Sequence, residues 1–328
     1  MKQRLGYIDE LKGLAIFLVV VGHVYIISFG FLKLEESSLW DRLISSFHMP
    51  LFAFLSGLFM SGEISRYKLK SKIERLVFPF FTIGIPYIYW RGLTISDFFM
   101  DNVNYGFWYL KIIFISWLLV VLCTHIITYV FKKGNLCIDV VAGIVLYFLL
   151  YLIPVGSLAY LTLSWDRMIW LFPYILVGHL IMKYNILDTI FSKEKWYSII
   201  IIIAMACWIT MVYFQHGRAR YLLTPCLVYL IFSLFYRVRE KNTGLLHKSL
   251  RQMGEQSLEI YVIHVFLLHS TYVYMPREYL TFNSGFLILL ANIVLSTIIV
   301  LSSIYISRII KTSRWLGYIC FGEKLKQE

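Results

Sequence analysis

Charged residues are scarce in this chain of 328 residues. They make up 15% of the sequence, whereas hydrophobic residues make up 59% and the mean hydropathy is +0.71. A soluble globular protein has about 25% charged and about 45–50% apolar residues. The shortage of charge excludes a water-soluble globular protein and predicts an integral membrane protein.

Cysteines and long polar stretches are also in short supply. The five cysteines fall in or beside apolar segments, and no spacing between them is typical of a metal site or a disulfide framework. We interpret them as small buried hydrophobic residues, and we expect no metal cofactor. Because no polar stretch is long enough for a separate soluble domain, we expect a single integral membrane domain over residues 1–328.

Ten long apolar runs are present instead. They lie at about 11–31, 43–62, 75–91, 107–130, 136–154, 168–183, 197–214, 221–236, 257–275 and 285–308. A run of about 17–25 apolar residues can cross a hydrocarbon core of about 30 Å, and only a helix then satisfies its own backbone polar groups. The sequence predicts an all-α polytopic bundle of about ten transmembrane helices, with both termini on one side.

The basic residues are distributed unevenly between the two predicted sides. The formal net charge is +12, and 22 of the 31 Lys and Arg residues lie at the termini and in alternate loops. By the positive-inside rule the richer side is cytoplasmic, so we expect both termini to face the cytoplasm. Positive charge in short loops beside membrane spans is suited to anionic lipid headgroups, and we expect no nucleic-acid partner.

The first apolar run carries ionisable residues, which are costly in a membrane and are therefore candidates for function. It reads DELKGLAIFLVVVGH over residues 9–23. The step from Lys12 to His23 corresponds to three helical turns plus about 20°, with a rise of roughly 16 Å. Asp9, Lys12 and His23 therefore share one helix face, with the first two at the predicted cytoplasmic edge. The alternative makes His23 a hydrogen-bonded packing residue.

The stretch YIDELKGLAIFLVVVGH (7–23) closely resembles the opening motif of acyltransferase family 3, in which a basic residue is followed by ten residues and a histidine. Further similar motifs follow in the family's order: SFHMPLFAFLSGLF (46–59), SKIERLVFPFF (71–81), FWYL (107–110), RMIWLFPYILVGHLI (167–181) and SLEIYVIHVFLLH (257–269). The YID, LKG and FHMPLF motifs are most similar to fucose 4-O-acetylase-like sugar O-acetyltransferases.

The resemblance implies a membrane-bound enzyme, in a bacterial cytoplasmic membrane, that moves an acyl group from acyl-CoA to a hydroxyl of a cell-surface carbohydrate or lipid-linked glycan. Acetyl is the expected acyl group. A sugar hydroxyl is a poor nucleophile, and histidine is suited to accept its proton at neutral pH. His23 is therefore the candidate general base, with Asp9 and Lys12 as further catalytic candidates. Alternatively, His23 itself carries the acyl group as a relay.

The phosphates of the donor need a cytoplasmic basic site. Arg75 and Lys72 lie in the segment RYKLKSKIER (66–75), and Arg75 lies four residues before Pro79, where the family motif has its basic residue. Arginine can grip phosphate with two hydrogen bonds, and lysine acts as a point charge. A thioester held near Lys12 could then reach His23. The alternative is that these residues only obey the positive-inside rule.

Four residues are candidates for binding the acceptor. His48 precedes Pro50, which can open backbone groups in its helix, and the alternative for His48 is a hydrogen bond to an adjacent helix. His264 and Glu259 lie in the ninth run, where a structural hydrogen-bond cluster is the alternative. Trp108 could stack on a sugar or simply belong to an interfacial aromatic belt.

A transporter or flippase is the rival interpretation. Ten helices with buried charges also suit a substrate pathway, but the first and second five helices show no internal repeat of the kind common in transporters. A non-catalytic membrane scaffold would leave Asp9, Lys12 and His23 unexplained.

Overall fold

The structure, a computed structural model, describes residues 6–29, 35–60, 62, 65–101, 104–132, 134–191, 194–213, 219–239, 244–274 and 284–324. These residues form helices, turns and loops, and none of them lies in a strand. The chain divides into two compact units. The first comprises residues 1–52 and 186–306, and the second comprises residues 53–185 and 307–328.

The first unit contains α1 (Gly6–Val24) with a π-helical turn (Tyr25–Phe29), most of α2 (Glu35–Leu58), α11 (Leu187–Phe191), α12 (Glu194–Tyr213), α13 (Arg220–Val238), α14 (Leu245–Glu255), α15 (Ser257–Tyr274) and most of α16 (Gly285–Ile310). The second unit contains the end of α2, α3 (Arg66–Lys72) with a π-helical turn (Ile73–Val77), α4 (Phe78–Thr82), α5 (Gly84–Trp90), α6 (Ile95–Met100), α7 (Trp108–Phe131), α8 (Leu136–Leu149), α9 (Leu158–Thr162), α10 (Trp165–Lys183), the end of α16 and α17 (Arg314–Phe321).

Each of the ten apolar runs overlaps a helix, but the helices are not equally suited to cross a membrane. Within the described ranges, four stretches are long and apolar enough: Gly6–Phe29, Trp108–Phe131, Arg220–Val238 and Gly285–Ile310. Three shorter apolar helices cover Leu136–Leu152, Trp196–Met211 and Ser257–Thr271. The chain is thus an all-helical integral membrane protein, while the count of ten spans stays a prediction.

The third run, at 75–91, shows how an apolar run can differ from one long helix. It consists of the second π-helical turn followed by the short helices α4 and α5. Pro79 and Pro86 each lie in the first turn of one of these helices. Proline has no amide hydrogen and is tolerated there, but it interrupts the hydrogen bonds of a longer helix.

In the first unit, α1 crosses α14 with almost no side chain between the two backbones. A Cβ atom placed on Gly13 would lie 1.8 Å from the carbonyl oxygen of Leu250, and one placed on Gly254 would lie 1.7 Å from that of Asp9. Only glycine permits so close an approach. At this crossing, the part of α1 around Asp9 faces α14. The next helix, α15, begins directly after α14.

A buried carboxylate reinforces this crossing. Glu10 is 0% exposed, and its Oε1 accepts a hydrogen bond of 2.7 Å from Nη2 of Arg251. Its Oε2 lies 2.9 Å from Nδ1 of His247. A buried charge is tolerated when its hydrogen bonds are satisfied in this way, and removal of one partner is costly.

The second unit uses the same close packing. A Cβ atom on Gly57 would lie 2.1 Å from the carbonyl oxygen of Ile175, and one on Gly178 would lie 2.3 Å from that of Phe54. The end of α2 and α10 therefore touch backbone to backbone. Small residues at such crossings are typical of helix pairs in membranes.

Candidate active site

Two histidine rings meet inside the first unit, one from α1 and one from α15. Nδ1 of His23 lies 3.0 Å from Nε2 of His264, and the ring planes differ by 8°. Nδ1 of His264 lies 3.0 Å from the carbonyl oxygen of Ile260, one turn earlier in α15. The three groups form a short chain of hydrogen bonds that ends at the backbone.

The direction of these two hydrogen bonds determines the tautomer of each ring. A carbonyl oxygen only accepts, so Nδ1 of His264 must carry a hydrogen and donate it to Ile260. In a neutral ring the other nitrogen, Nε2, is then an acceptor. Nδ1 of His23 therefore donates to His264, and the lone pair of His23 is on Nε2.

Exposure distinguishes the roles of the two rings. His264 is 0% exposed, whereas His23 is partly exposed. Among the residues that the structure describes, Nε2 of His23 has no hydrogen-bond partner. A partly accessible nitrogen with a free lone pair, on a ring oriented by a second buried group, is the arrangement expected of a general base.

The two charged residues at the beginning of α1 pair with each other. Nζ of Lys12 lies 3.7 Å from Oδ1 of Asp9, which is 5% exposed. The helix is continuous from these residues to His23, as the spacing argument requires. A π-helical turn follows directly after Val24. Such turns are rare in proteins, and those that occur are often found at functional sites.

His48 lies in the same unit and close to the histidine pair. Its Nδ1 is 2.7 Å from the carbonyl oxygen of Ile44, to which it donates, so its Nε2 is an acceptor. The side chain is 9% exposed and is near enough to His23 for an electrostatic interaction. His48 is therefore near His23, although its role as an acceptor-binding residue stays a prediction.

Pro50 leaves one backbone carbonyl of its helix without a donor, and another helix supplies one. Because proline has no amide hydrogen, the carbonyl of Ser46 lacks its usual helical donor. The hydroxyl of Thr224 on α13 donates to that carbonyl instead, at 2.8 Å. The proline thus creates a hydrogen bond between two helices of the first unit.

The candidates on α15 separate as helical spacing predicts. The ring of Tyr261 lies 5.9 Å from that of His264, so these two residues share a face. Glu259 is 7% exposed and belongs to another face of α15. His264 contacts His23 directly, and its role as an acceptor-binding residue stays a prediction.

Trp108, in the second unit, is packed against a cation. The ring is 9% exposed, and the guanidinium carbon of Arg167 lies 5.9 Å from its centroid. This arrangement favours the packing interpretation, while sugar stacking on Trp108 stays a prediction.

The predicted donor residues also lie in the second unit. Lys72 ends α3, and Arg75 belongs to the π-helical turn that follows. Their neighbour Glu74 accepts a hydrogen bond of 2.9 Å from the hydroxyl of Tyr318 on α17, which raises the pKa of that hydroxyl. Arg75 is exposed and pairs with no carboxylate among the described residues, so its guanidinium is available to an anion.

The cluster of Glu10 with His247 and Arg251 was not predicted from the sequence. Its signal was present: His247 and Arg251 are four residues apart, so they share a face of α14, and a carboxylate in the apolar first run needed a partner.

Within the described ranges, no group of three His, Cys, Asp or Glu side chains is placed to hold a metal ion.

Comparison with known proteins adds an independent finding. The family model of an acyltransferase domain, that of acyltransferase family 3, matches residues 5–310. The match covers nearly the whole chain, including every candidate residue described above. No curated protein and no solved structure matches the chain.

Proposed function

The chain belongs to acyltransferase family 3, and we propose that it transfers an acetyl group from acetyl-CoA to a hydroxyl of a cell-surface carbohydrate or lipid-linked glycan. The observation that carries this proposal is the His23–His264 pair, which leaves Nε2 of His23 with a lone pair and without a partner among the described residues. The similarity of the YID, LKG and FHMPLF motifs to sugar O-acetyltransferases supports a sugar as the acceptor.

In the direct route, Nε2 of His23 takes the proton of the sugar hydroxyl as the oxygen attacks the thioester carbon. A C–O bond forms, the C–S bond breaks, and the proton passes from the imidazolium to the leaving thiolate of CoA. General-base catalysis of this kind contributes about 10²–10⁴-fold to a rate. In the relay route, the same nitrogen attacks the thioester carbon, so that a C–N bond forms, the C–S bond breaks and CoA leaves as the thiolate. The sugar oxygen then attacks the acetyl group on the ring, a C–O bond forms as the C–N bond breaks, and the proton of the sugar hydroxyl passes to the thiolate, directly or through water.

For the donor, we propose that Arg75 binds a phosphate of CoA. An exposed arginine without a carboxylate partner can form two parallel hydrogen bonds with a phosphate. Lys72 and Lys12 are further candidates for contact with the donor. Replacement of Arg75 by Ala should raise the KM for acetyl-CoA and leave the KM for the acceptor unchanged.

The test of the function uses purified protein in nanodiscs with radiolabelled acetyl-CoA and a panel of free and lipid-linked glycans. Wild type is compared with His23→Ala and with His125→Ala, a matched change at an exposed histidine of α7. We expect transfer to a glycan by wild type and His125→Ala, and loss of transfer by His23→Ala with acetyl-CoA binding retained. Intact wild type that neither binds nor turns over acetyl-CoA would contradict the proposal and favour the transporter alternative.

A further inference from the structure

Two neighbouring residues of the second π-helical turn carry opposite charges but do not pair. Glu74 and Arg75 are consecutive in the turn Ile73–Val77, and Arg75 contacts no carboxylate among the residues that the structure describes. At the beginning of α10, by contrast, Nε of Arg167 lies 3.5 Å from Oδ2 of its neighbour Asp166. A consecutive acid and arginine of this chain can therefore reach each other, so the separation of Glu74 from Arg75 requires a cause.

The carboxylate of Glu74 is held by α17. Its Oε1 accepts a hydrogen bond of 2.9 Å from the hydroxyl of Tyr318, and this bond raises the pKa of that hydroxyl. Hydrogen bonds to an ionised acceptor are stronger than those between neutral groups. Nζ of Lys70 also lies 3.8 Å from Oε1, but the lysine side chain is 73% exposed, and exposed ion pairs contribute little. Tyr318 is therefore the main partner of Glu74 within the described part of the chain.

Further contacts fix α17 against the same turn. Gly322, at the end of α17, has a φ of +63°, and a Cβ atom placed on it would lie 2.4 Å from the carbonyl oxygen of Glu74. The hydroxyl of Thr82 on α4 donates a hydrogen bond of 2.9 Å to a backbone carbonyl of α17. The ring of Tyr318 meets that of Phe78 edge to face, with centroids 5.8 Å apart. Its hydroxyl therefore reaches Glu74 from a ring whose position is already set.

This arrangement bears on the binding of a phosphate at Arg75. A guanidinium forms two parallel hydrogen bonds with a carboxylate as readily as with a phosphate. A carboxylate released beside Arg75 would therefore compete with the phosphate for the same donors, and its charge would repel the phosphate. Arg75 is available to the donor only while Glu74 is engaged elsewhere.

We propose that Tyr318 is a positioning residue for the acyl-CoA donor: its hydroxyl keeps the carboxylate of Glu74 on α17 and leaves the guanidinium of Arg75 to a phosphate of CoA. The inference rests on the proposed function, in which Arg75 binds the donor. It adds α17 to the donor site, although this helix carries none of the candidate residues predicted from the sequence. Tyr318 acts through Glu74 and does not itself touch the donor.

The first test removes the hydroxyl alone. Tyr318→Phe keeps the ring that packs on Phe78, and the Kd for radiolabelled acetyl-CoA is measured with purified protein in nanodiscs. We expect Kd to rise about two- to five-fold with kcat and the acceptor KM unchanged, which corresponds to about 0.4–1 kcal/mol and lies within the range of exposed ion pairs. Tyr129→Phe, which removes a hydroxyl from a side chain that is 86% exposed on α7, should bind as wild type does. An unchanged Kd in folded Tyr318→Phe overturns the proposal.

Double variants separate positioning from a general effect on the fold. Glu74→Gln removes the competing charge, so adding Tyr318→Phe to it should leave the Kd for acetyl-CoA unchanged. In Arg75→Ala the guanidinium is absent, and Tyr318→Phe should again have no further effect. A defect of Tyr318→Phe that persists in both backgrounds indicates a structural role only and overturns the proposal.

The same measurements distinguish this inference from the function on which it rests. Intact wild type that binds no acetyl-CoA contradicts the proposed function and the role of Tyr318 together. Wild type that binds and transfers acetyl, with Tyr318→Phe equal to it, contradicts the role of Tyr318 alone.

Discussion

Replacement of His264 by Leu removes the acceptor that holds Nδ1 of His23. The hydrogen bond between the rings is 3.0 Å long, and a bond of this type contributes about 0.5–1.5 kcal/mol net, while an unpaired buried donor costs about 1–3 kcal/mol. His23 would then rotate or shift its proton to Nε2, the nitrogen that must accept the proton of the substrate. When a metal-bound histidine loses the partner that orients its ring, metal affinity or activity typically falls about 10–100-fold, and we take the same range for His23.

We therefore expect His264→Leu to lower kcat by about 10–100-fold with the KM values for both substrates nearly unchanged. His264→Gln is the matched control, because its Oε1 can accept the same hydrogen bond from His23 and keep the proton on Nδ1. The Gln variant should recover most of the lost kcat. Both variants are assayed with radiolabelled acetyl-CoA after size-exclusion chromatography confirms that they are folded.

The tautomer itself can be measured. Nitrogen NMR of histidine-labelled protein, with the His23 signals assigned by their absence in His23→Ala, should show hydrogen on Nδ1 in wild type and in His264→Gln. A wild-type ring with hydrogen on Nε2 would refute the reasoning. So would equal kcat values for wild type and a folded His264→Leu, or a Gln variant as impaired as the Leu variant.

Three further predictions concern stability. Arg251→Ala should lower the free energy of unfolding by about 3–5 kcal/mol, because the fully buried Glu10 loses its arginine. Adding Glu10→Gln should restore part of the lost stability. Thermal unfolding of the single and double variants checks both expectations. Gly254→Ala should cost at least about 1–3 kcal/mol in the same assay, because its Cβ would lie 1.7 Å from a backbone oxygen of α1. The backbone amide and hydroxyl of Thr94 donate to Asp97 and hold its pKa below the ordinary value. Their stabilisation of α6 is therefore present at neutral pH and lost as the pH falls below about 4, and hydrogen exchange in α6 should lose this dependence in Asp97→Asn, which has no carboxyl to titrate.

Local features of this protein could be predicted from the sequence because they depend on neighbouring residues. Hydropathy predicted helices over all ten apolar runs, since the backbone in a membrane must satisfy its own hydrogen bonds. The periodicity of α1 placed Lys12 and His23 on one face, and the missing amide of Pro50 predicted an opened backbone group. The broken third run was a partial failure, because hydropathy does not register where proline interrupts the hydrogen bonds of a helix.

The sequence by itself therefore determined a helical membrane protein with a histidine among apolar residues of its first run. Only the tertiary structure decided that this histidine meets His264, which is 241 residues away and is one of eight histidines in the chain. No local pattern encodes that contact. It follows from the packing of α14 and α15 on α1, where Gly13 and Gly254 let backbones touch, and from the hydrogen bond that orients each ring.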